Sequence, residues 1–265
     1  MIRLDQFRTS ILDRGSRMAT RFLTALPVYN EVAHAGGVLD QVLRYSPDVL
    51  VVDDGSTDGT GDLLSARKDI IYLRHEKNQG YGAALRTAFE YALREKYEVL
   101  VTIDCDGQHE PQRIPEFVAA SEQAQIVSGS RYLHIFDDQS APPEDRRKIN
   151  MQITEEINRR LGLHLTDAFC GFKAYRCSAL SALDIHETGY AMPLEVWVQA
   201  SRAKLSIVEL PVPLIYLDEK RSFGGSLDNA VTRLDYYHQI LDRALGRAEV
   251  RPPHVRESLC RGISG

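Results

Sequence analysis

Cysteine is scarce. There are four in 265 residues, with no Cys-x-x-Cys pair and no histidine partner at zinc spacing, so neither a disulfide framework nor a structural zinc site is indicated. Positive charge is not in excess either: a net charge of -5 argues against a general nucleic-acid binder, and any polyanionic ligand must be gripped locally by a cation or a few arginines. Long apolar runs are also missing. No segment approaches the roughly 20 apolar residues of a membrane span. Residues 1–21, peppered with Arg and Asp, lack the apolar stretch of a signal peptide. These absences lead us to expect a protein of the reducing cytosol that crosses no bilayer. No internal repeat is visible, and the one tryptophan, Trp197, falls in a helical pattern and reads as core.

What the chain does have is ordinary globular composition, 43% hydrophobic and 26% charged, long enough to bury a sizeable core. Two acidic clusters stand at the ends of two β-branched apolar runs. They are Val51-Val52-Asp53-Asp54-Gly55-Ser56-Thr57-Asp58-Gly59 and Leu100-Val101-Thr102-Ile103-Asp104-Cys105-Asp106-Gly107-Gln108. Such a run reads as a strand buried on both faces, and a carboxylate cluster where it exits must lie at the strand mouth. Alone, each cluster is most simply a turn or a cap. Together, separated by a β-α-β-α-β stretch, they can converge on one crevice at the carboxyl edge of an open sheet, where paired carboxylates suit a divalent cation that in turn holds phosphates.

Periodicity predicts strands over residues 21–26 (ended by Pro27), 49–52, 70–73 and 99–103, with helices over 32–45, 57–67 (Ser56 as cap) and 80–96. That alternation implies an α/β fold, a mostly parallel central sheet with helices on both faces. Further on, helices are expected over 111–123, 144–161 and 194–203, a short strand over 125–128, a loop over 132–144 and an extended edge segment over 205–217. Domain organisation is read as an extension (1–20), a main α/β domain (21–217), a mobile loop with an amphipathic helix (218–247) and a loose tail (248–265). The helix, residues 227–245, carries Leu227, Val231, Leu234, Tyr237, Leu241 and Leu245 at helical spacing, flanked by Arg233, Arg243 and Arg247. Its apolar face is expected to pack on the body or a second subunit (a homodimer), with at most weak contact with lipid.

Six strings in order carry a resemblance. They are Ala25-Leu26-Pro27-Val28-Tyr29-Asn30-Glu31, the segment from Val51 to Thr60, Asn78-Gln79-Gly80-Tyr81-Gly82, Asp104-Cys105-Asp106-Gly107-Gln108-His109-Glu110-Pro111, Gly129-Ser130-Arg131-Tyr132, and Cys170-Gly171-Phe172-Lys173-Ala174-Tyr175. Over roughly residues 22–226 the chain resembles the inverting family 2 glycosyltransferases of the GT-A fold, most of all the dolichol-phosphate mannosyltransferases and related polyprenyl-phosphate glycosyltransferases. The resemblance implies that Asp106 and Gln108 hold Mg²⁺ or Mn²⁺, with Asp104 nearby toward the nucleotide. It implies a base and ribose pocket from Pro27, Tyr29, Asn30, Glu31 and Asp53, and it sets Arg131 at the junction of donor and acceptor. Arg147 and Arg221 match arginines that face phosphate, whereas Arg146 and Lys148 read as a solvated face.

Glu195 opens the helix that in many such enzymes carries a catalytic base, and the neighbouring family acid is replaced here by Pro193. A hydroxyl acceptor needs a base, whereas a phosphate monoester is already ionised and can attack without one. The implied reaction is therefore hexose transfer from a nucleoside diphosphate sugar, of the GDP-mannose or UDP-glucose type, to a polyprenyl phosphate at the cytoplasmic membrane face. A soluble or hydroxyl acceptor is the alternative, with Glu195 or Asp167 as base, although Asp167 reads first as a buried structural acceptor. A nucleotidyltransferase would need a basic Gly-rich first loop that residues 27–31 lack, and a noncatalytic nucleotide-sugar sensor would not need the intact acids and arginines. Asp54 is read as support for the Gly55-Ser56 turn, Gly80 and Gly82 as positions of close approach to ligand or sheet, and His109 as a neighbour of the cation.

Overall fold

The computed structural model describes residues 20–136, 144–215 and 225–246. The extension over 1–19, most of the loop that contains Arg221, and the tail from 247 lie outside the described residues. Seven strands form one sheet in the order β3-β2-β1-β4-β6-β5-β7. The first four are β1 (Phe22–Val28), β2 (Val49–Asp53), β3 (Ile71–Arg74) and β4 (Val99–Thr102), all parallel. They alternate with helices α1 (Ala35–Val42), α2 (Thr60–Ser65) and α3 (Tyr81–Arg94). Helix α4 (Ile114–Ala120), entered through a 3-10 turn at Pro111–Arg113, leads to β5 (Ile126–Ser130). Then come α5 (Glu144–Leu161), β6 (Lys173–Arg176), the short α6 (Cys177–Leu180), α7 (Met192–Arg202) and β7 (Ile207–Pro211). A 3-10 turn at Gly225–Asp228 precedes α8 (Ala230–Gly246).

The expected mostly parallel α/β sheet is what the chain forms, because alternate residues of each central strand feed opposite faces. Leu23, Ala25, Leu50, Val52 and Leu100 pack under α3, α7 and α8. Leu26, Val28, Val49, Val51 and Val101 pack under α1 and α4. Since β1 is flanked by β2 on one side and β4 on the other, the chain leaves β1 and β4 in diverging directions, and a crevice opens at their carboxyl ends.

Several expectations are corrected. Pro27 does not end the first strand: β1 continues to Val28, with Pro27 opposite Val52. The ladder to β4 stops at Ala25 opposite Thr102, so the N–H that proline lacks would have found no strand partner on that side. Ser56 does not cap α2. The N-cap is Gly59 at φ 97°, and Asp58 accepts the Thr60 N–H at 3.0 Å. Strand β6 went unforeseen; four residues with no alternating pattern carry no strand signal, yet they form the antiparallel link between β4 and β5.

Helix α8 packs on the body, as expected, through a face rotated from the expected one. Tyr237, Ile240, Leu241 and Ala244 are buried, Val231 is 69% exposed, and Arg233 is buried, donating from Nη1 to the Leu227 carbonyl at 2.8 Å. Leu241→Ala should therefore lower the free energy of unfolding in urea by about 2–4 kcal/mol. Val231→Ser should stay within about 0.5 kcal/mol of the parent. Equal losses at both positions would contradict the docking face.

Candidate active site

A cavity of about 890 Å³ opens at the carboxyl ends of β1 and β4. The loops after β1 and β2 are stitched together at its floor. Asn30, at φ 55°, donates its N–H to Ser56 Oγ at 2.9 Å, and its side-chain carbonyl accepts the Thr57 N–H at 2.8 Å. The Glu31 N–H reaches Thr60 Oγ1 at 2.9 Å and the Val32 N–H reaches Asp58 Oδ2 at 3.1 Å. Pro27, Tyr29, Asn30 and Glu31 thus face the cavity together, with Asp58 beside them.

Asp53 and Asp54 do not sit as expected. Asp53 is fully buried and off the cavity wall. Its carboxylate accepts the Ser56 N–H at 2.8 Å and the Tyr72 hydroxyl at 2.8 Å, with Arg74 Nε 3.5 Å away. Burial, then the hydrogen bond to Asp53, pushes the Tyr72 phenol up to about 12. Asp53 is the residue that braces the Gly55-Ser56 turn. Asp54 lines the cavity and braces the next loop instead, accepting the Gln79 and Gly80 N–H groups at 2.9 and 2.7 Å and lying 2.6 Å from His75 Nδ1. Gly80 and Gly82 permit a close approach to the chain at 187–188, and Gly80 also lines the cavity. A Cβ at Gly80, whose φ is 107°, would stand 2.3 Å from the Thr188 carbonyl oxygen, and one at Gly82 would stand 2.5 Å from that of Glu187.

At the mouth of β4, Asp104, Asp106 and Gln108 all face the cavity. Asp104 accepts the Tyr81 hydroxyl at 3.0 Å and lies 3.4 Å from His109 Nε2. Gly171 presses from behind, where a Cβ would fall 2.1 Å from Asp104 Oδ2. Burial alone would raise the Asp104 carboxyl, but His109, Tyr81 and the charge of Lys173 outweigh it and hold it below the ordinary range. His109 therefore touches the acid rather than the cavity, its ring edge-on to Phe172. Asp106 Oδ1 accepts the Gln108 N–H at 2.9 Å, which sets both side chains in one tight turn. This is a set of hard oxygen donors suited to Mg²⁺ or Mn²⁺. Among the described residues no three His, Cys, Asp or Glu side chains form an enclosing cage. The set fits an ion held by one or two carboxylates that leaves its other positions to phosphate oxygens and water.

The same cavity is also lined by basic and aromatic residues. Arg131 is clamped by the buried Asp167, Nε to Oδ2 at 2.6 Å and Nη2 to Oδ1 at 2.9 Å. Burial opposes the Asp167 charge, but the guanidinium beside it holds the carboxyl below its usual range. Arg147 faces the cavity from the first turn of α5, and so does Arg146, against the expectation that it would be a solvated residue. Lys148 is the solvated one, paired with Glu144 and 68% exposed. Phe169, Tyr190, Pro193, Leu214 and Tyr237 complete this wall, Tyr190 stacked on Tyr81 with ring centroids 5.7 Å apart. The tyrosines gave no sequence signal because each comes from a different element.

Glu195 is corrected as a catalytic base. It is 1% exposed and turned away from the cavity, its Oε2 accepting the His186 and Glu187 N–H groups at 2.9 and 2.7 Å. Two residues along a helix is roughly 200° of rotation, so the helix that aims Pro193 at the cavity aims Glu195 away from it. Trp197 is core, its indole N–H donating to the Ala168 carbonyl at 2.9 Å. Arg221 lies outside the described residues.

Residues 24–184 match the family model described as Glycosyl transferase family 2. The chain is 33% identical over 225 residues to the undecaprenyl-phosphate mannosyltransferase of Micrococcus luteus, covering 81% of this chain and 92% of that protein. It is 32% identical over 247 residues to the polyprenol monophosphomannose synthase of Mycolicibacterium smegmatis, covering 87% and 92%. Among solved structures, glucosyl-3-phosphoglycerate synthase from Mycobacterium tuberculosis, in complex with Mn²⁺, UDP and glucosyl-3-phosphoglycerate, superposes with a TM-score of 0.63 at 17% identity, over 85% of this chain and 78% of that one.

The Arg131–Asp167 pair generates a stability prediction. Asp167→Asn leaves a guanidinium without its counter-charge and should cost about 3 kcal/mol at neutral pH. Because the folded pKa of Asp167 lies below its unfolded value, its contribution is complete above the unfolded carboxylate range and fades as pH falls through the folded pKa. Urea titrations should show the parent and the variant converging in acid. A gap that stays constant as the pH is lowered would contradict the pairing.

Proposed function

The chain belongs to glycosyl transferase family 2, and we propose that it moves a hexose, with inversion, from a nucleoside diphosphate sugar to a polyprenyl phosphate. The observation that carries this reading is the mixed lining of the cavity. It brings Asp104 and Asp106 at the mouth of β4 together with Arg131, Arg146 and Arg147 and with the rings of Phe169, Tyr190 and Tyr237. Acids with a divalent cation suit a diphosphate donor, and guanidiniums beside apolar surface suit a phosphate attached to a hydrocarbon chain. The relatives from Micrococcus luteus and Mycolicibacterium smegmatis, named for undecaprenyl-phosphate and polyprenol substrates, support the same acceptor class.

In this reading Pro27, Tyr29, Asn30 and Glu31 hold the nucleoside, and Asp104 orients the metal loop. Asp106 and Gln108 hold Mg²⁺ or Mn²⁺, which when bound stabilises the charge that develops on the leaving diphosphate. Arg131, Arg146 and Arg147 bind the acceptor phosphate and aim one of its oxygens at the anomeric carbon, on the face opposite the bond that breaks. Arg221 remains a further candidate for phosphate contact. The acids that a hydroxyl acceptor would call on are both committed, Asp167 to Arg131 and Glu195 to two backbone N–H groups. An acceptor that is already ionised needs neither. No helix among the described residues is long and apolar enough to cross a membrane, so the lipid acceptor would be met at the bilayer surface.

When radiolabelled GDP-mannose and UDP-glucose are each offered with Mn²⁺, label from one of them should pass to polyprenyl phosphate and not to sugars or peptides. Asp106→Ala should cut that transfer by about 100-fold or more and abolish the Mn²⁺-dependent thermal stabilisation by the nucleoside diphosphate. Label appearing in hydroxyl acceptors at the same rate, or an Asp106 variant of parental turnover, would count against the reading.

A further inference from the structure

Glu209 stands on the edge strand β7, outside the matched region 24–184, and both its oxygens are spent on the turn that carries Asp167. Oε2 accepts the Thr166 N–H at 2.8 Å and the Thr166 hydroxyl at 2.9 Å. Oε1 accepts the Asp167 N–H at 3.0 Å. The Thr166 hydroxyl proton is thereby used, so in its 2.5 Å contact with Ser130 the serine must be the donor. Ser130 Oγ in turn accepts the Tyr132 N–H at 3.2 Å. A one-directional chain of donors therefore runs from the backbone on one side of Arg131, through Ser130 and Thr166, to the Glu209 carboxylate. On its other side Arg131 is gripped by Asp167, whose own N–H ends on the same carboxylate. The Ser130–Thr166 link on one side of Arg131 and Asp167 on the other thus both lead to Glu209.

We propose that Glu209 is a positioning residue for Arg131, fixing through the Thr166–Asp167 turn the direction in which the guanidinium enters the cavity. The side chain has to be a carboxylate, because three donors converge on its two oxygens. An amide would offer one oxygen and turn an NH₂ group against a backbone N–H. The inference rests on the reading that Arg131 contacts the reacting phosphates.

The test is a double-mutant cycle on transfer to polyprenyl phosphate. Glu209→Gln should lower kcat about tenfold, the scale of one mispaired buried donor. It should also shift or broaden the Arg131 Nε–H signal in ¹⁵N-edited NMR, a signal identified by its loss in Arg131→Lys. In an Arg131→Ala background the same substitution should cost less than about twofold more, since its target is gone. Equal losses in both backgrounds, or Glu209→Gln at parental kcat with the Nε–H signal unchanged, would overturn the proposal. Arg131→Ala at the parental rate would overturn the site reading and the proposal with it, whereas an impaired Arg131→Ala beside an unimpaired Glu209→Gln overturns the proposal alone. Thr166→Val cuts one link of the chain and keeps the backbone donors; it enters the same cycle with the same expectations if Glu209→Gln does not fold.

Discussion

A carboxylate withdrawn from water must be given donors, and the loops at the carboxyl edge of this sheet are shaped by that requirement. Asp53, Asp54, Asp167 and Glu195 are all buried, and each is satisfied by backbone or side-chain donors from a loop it then holds in place. Asp53 braces the turn after β2, Asp54 the approach to α3, Asp167 the guanidinium of Arg131, and Glu195 the chain at 186–187. The cavity is the space these braced loops leave between them. Breaking one brace leaves an unpaired charge or orphaned N–H groups behind it, so the shape of the site and the stability of the fold are coupled.

The same requirement separates acids that build the site from acids that work in it. Asp106, with its neighbours Asp104 and Gln108, faces the cavity, where it is proposed to hold a cation. Asp53 and Glu195 have no charge to spare. The division takes Asp167 and Glu195 away from the role of base for a hydroxyl, which agrees with the proposed phosphate acceptor. Three arginines line the same cavity, one of them rigidly clamped by Asp167.

Much of the fold was legible because it follows from local chemistry. The β-branched runs ending in Asp53 and Asp104 mark buried parallel strands whatever surrounds them, and the alternation with helical periodicity fixes an α/β sheet. The acid cluster that follows the second of these runs is equally local and lies at a strand mouth, whereas the choice of Asp106 and Gln108 as cation candidates came from the family resemblance. Strand β6 could not be read this way. Lys173–Arg176 is a strand because β4 and β5 present their edges to it, and Lys173 is tolerated in the interior because the Cys170 carbonyl takes its amine.

By itself, then, the sequence determined the mostly parallel sheet, a crevice at its carboxyl edge and the kind of residue that lines it, since strand period, turn preference and charge are properties of short segments; the strand order that puts the crevice between β1 and β4 came from the structure. Only the tertiary structure decided which of two adjacent acids faces the ligand. At Asp53 and Asp54 the answer depends on Tyr72 and Gln79 arriving from elsewhere. At Pro193 and Glu195 it depends on how α7 is rotated against the core, and at Arg146 on where α5 lies beside Tyr237. Long-range contacts assign the last hydrogen-bond partners, and a side chain's partners decide whether it holds the fold or meets the substrate.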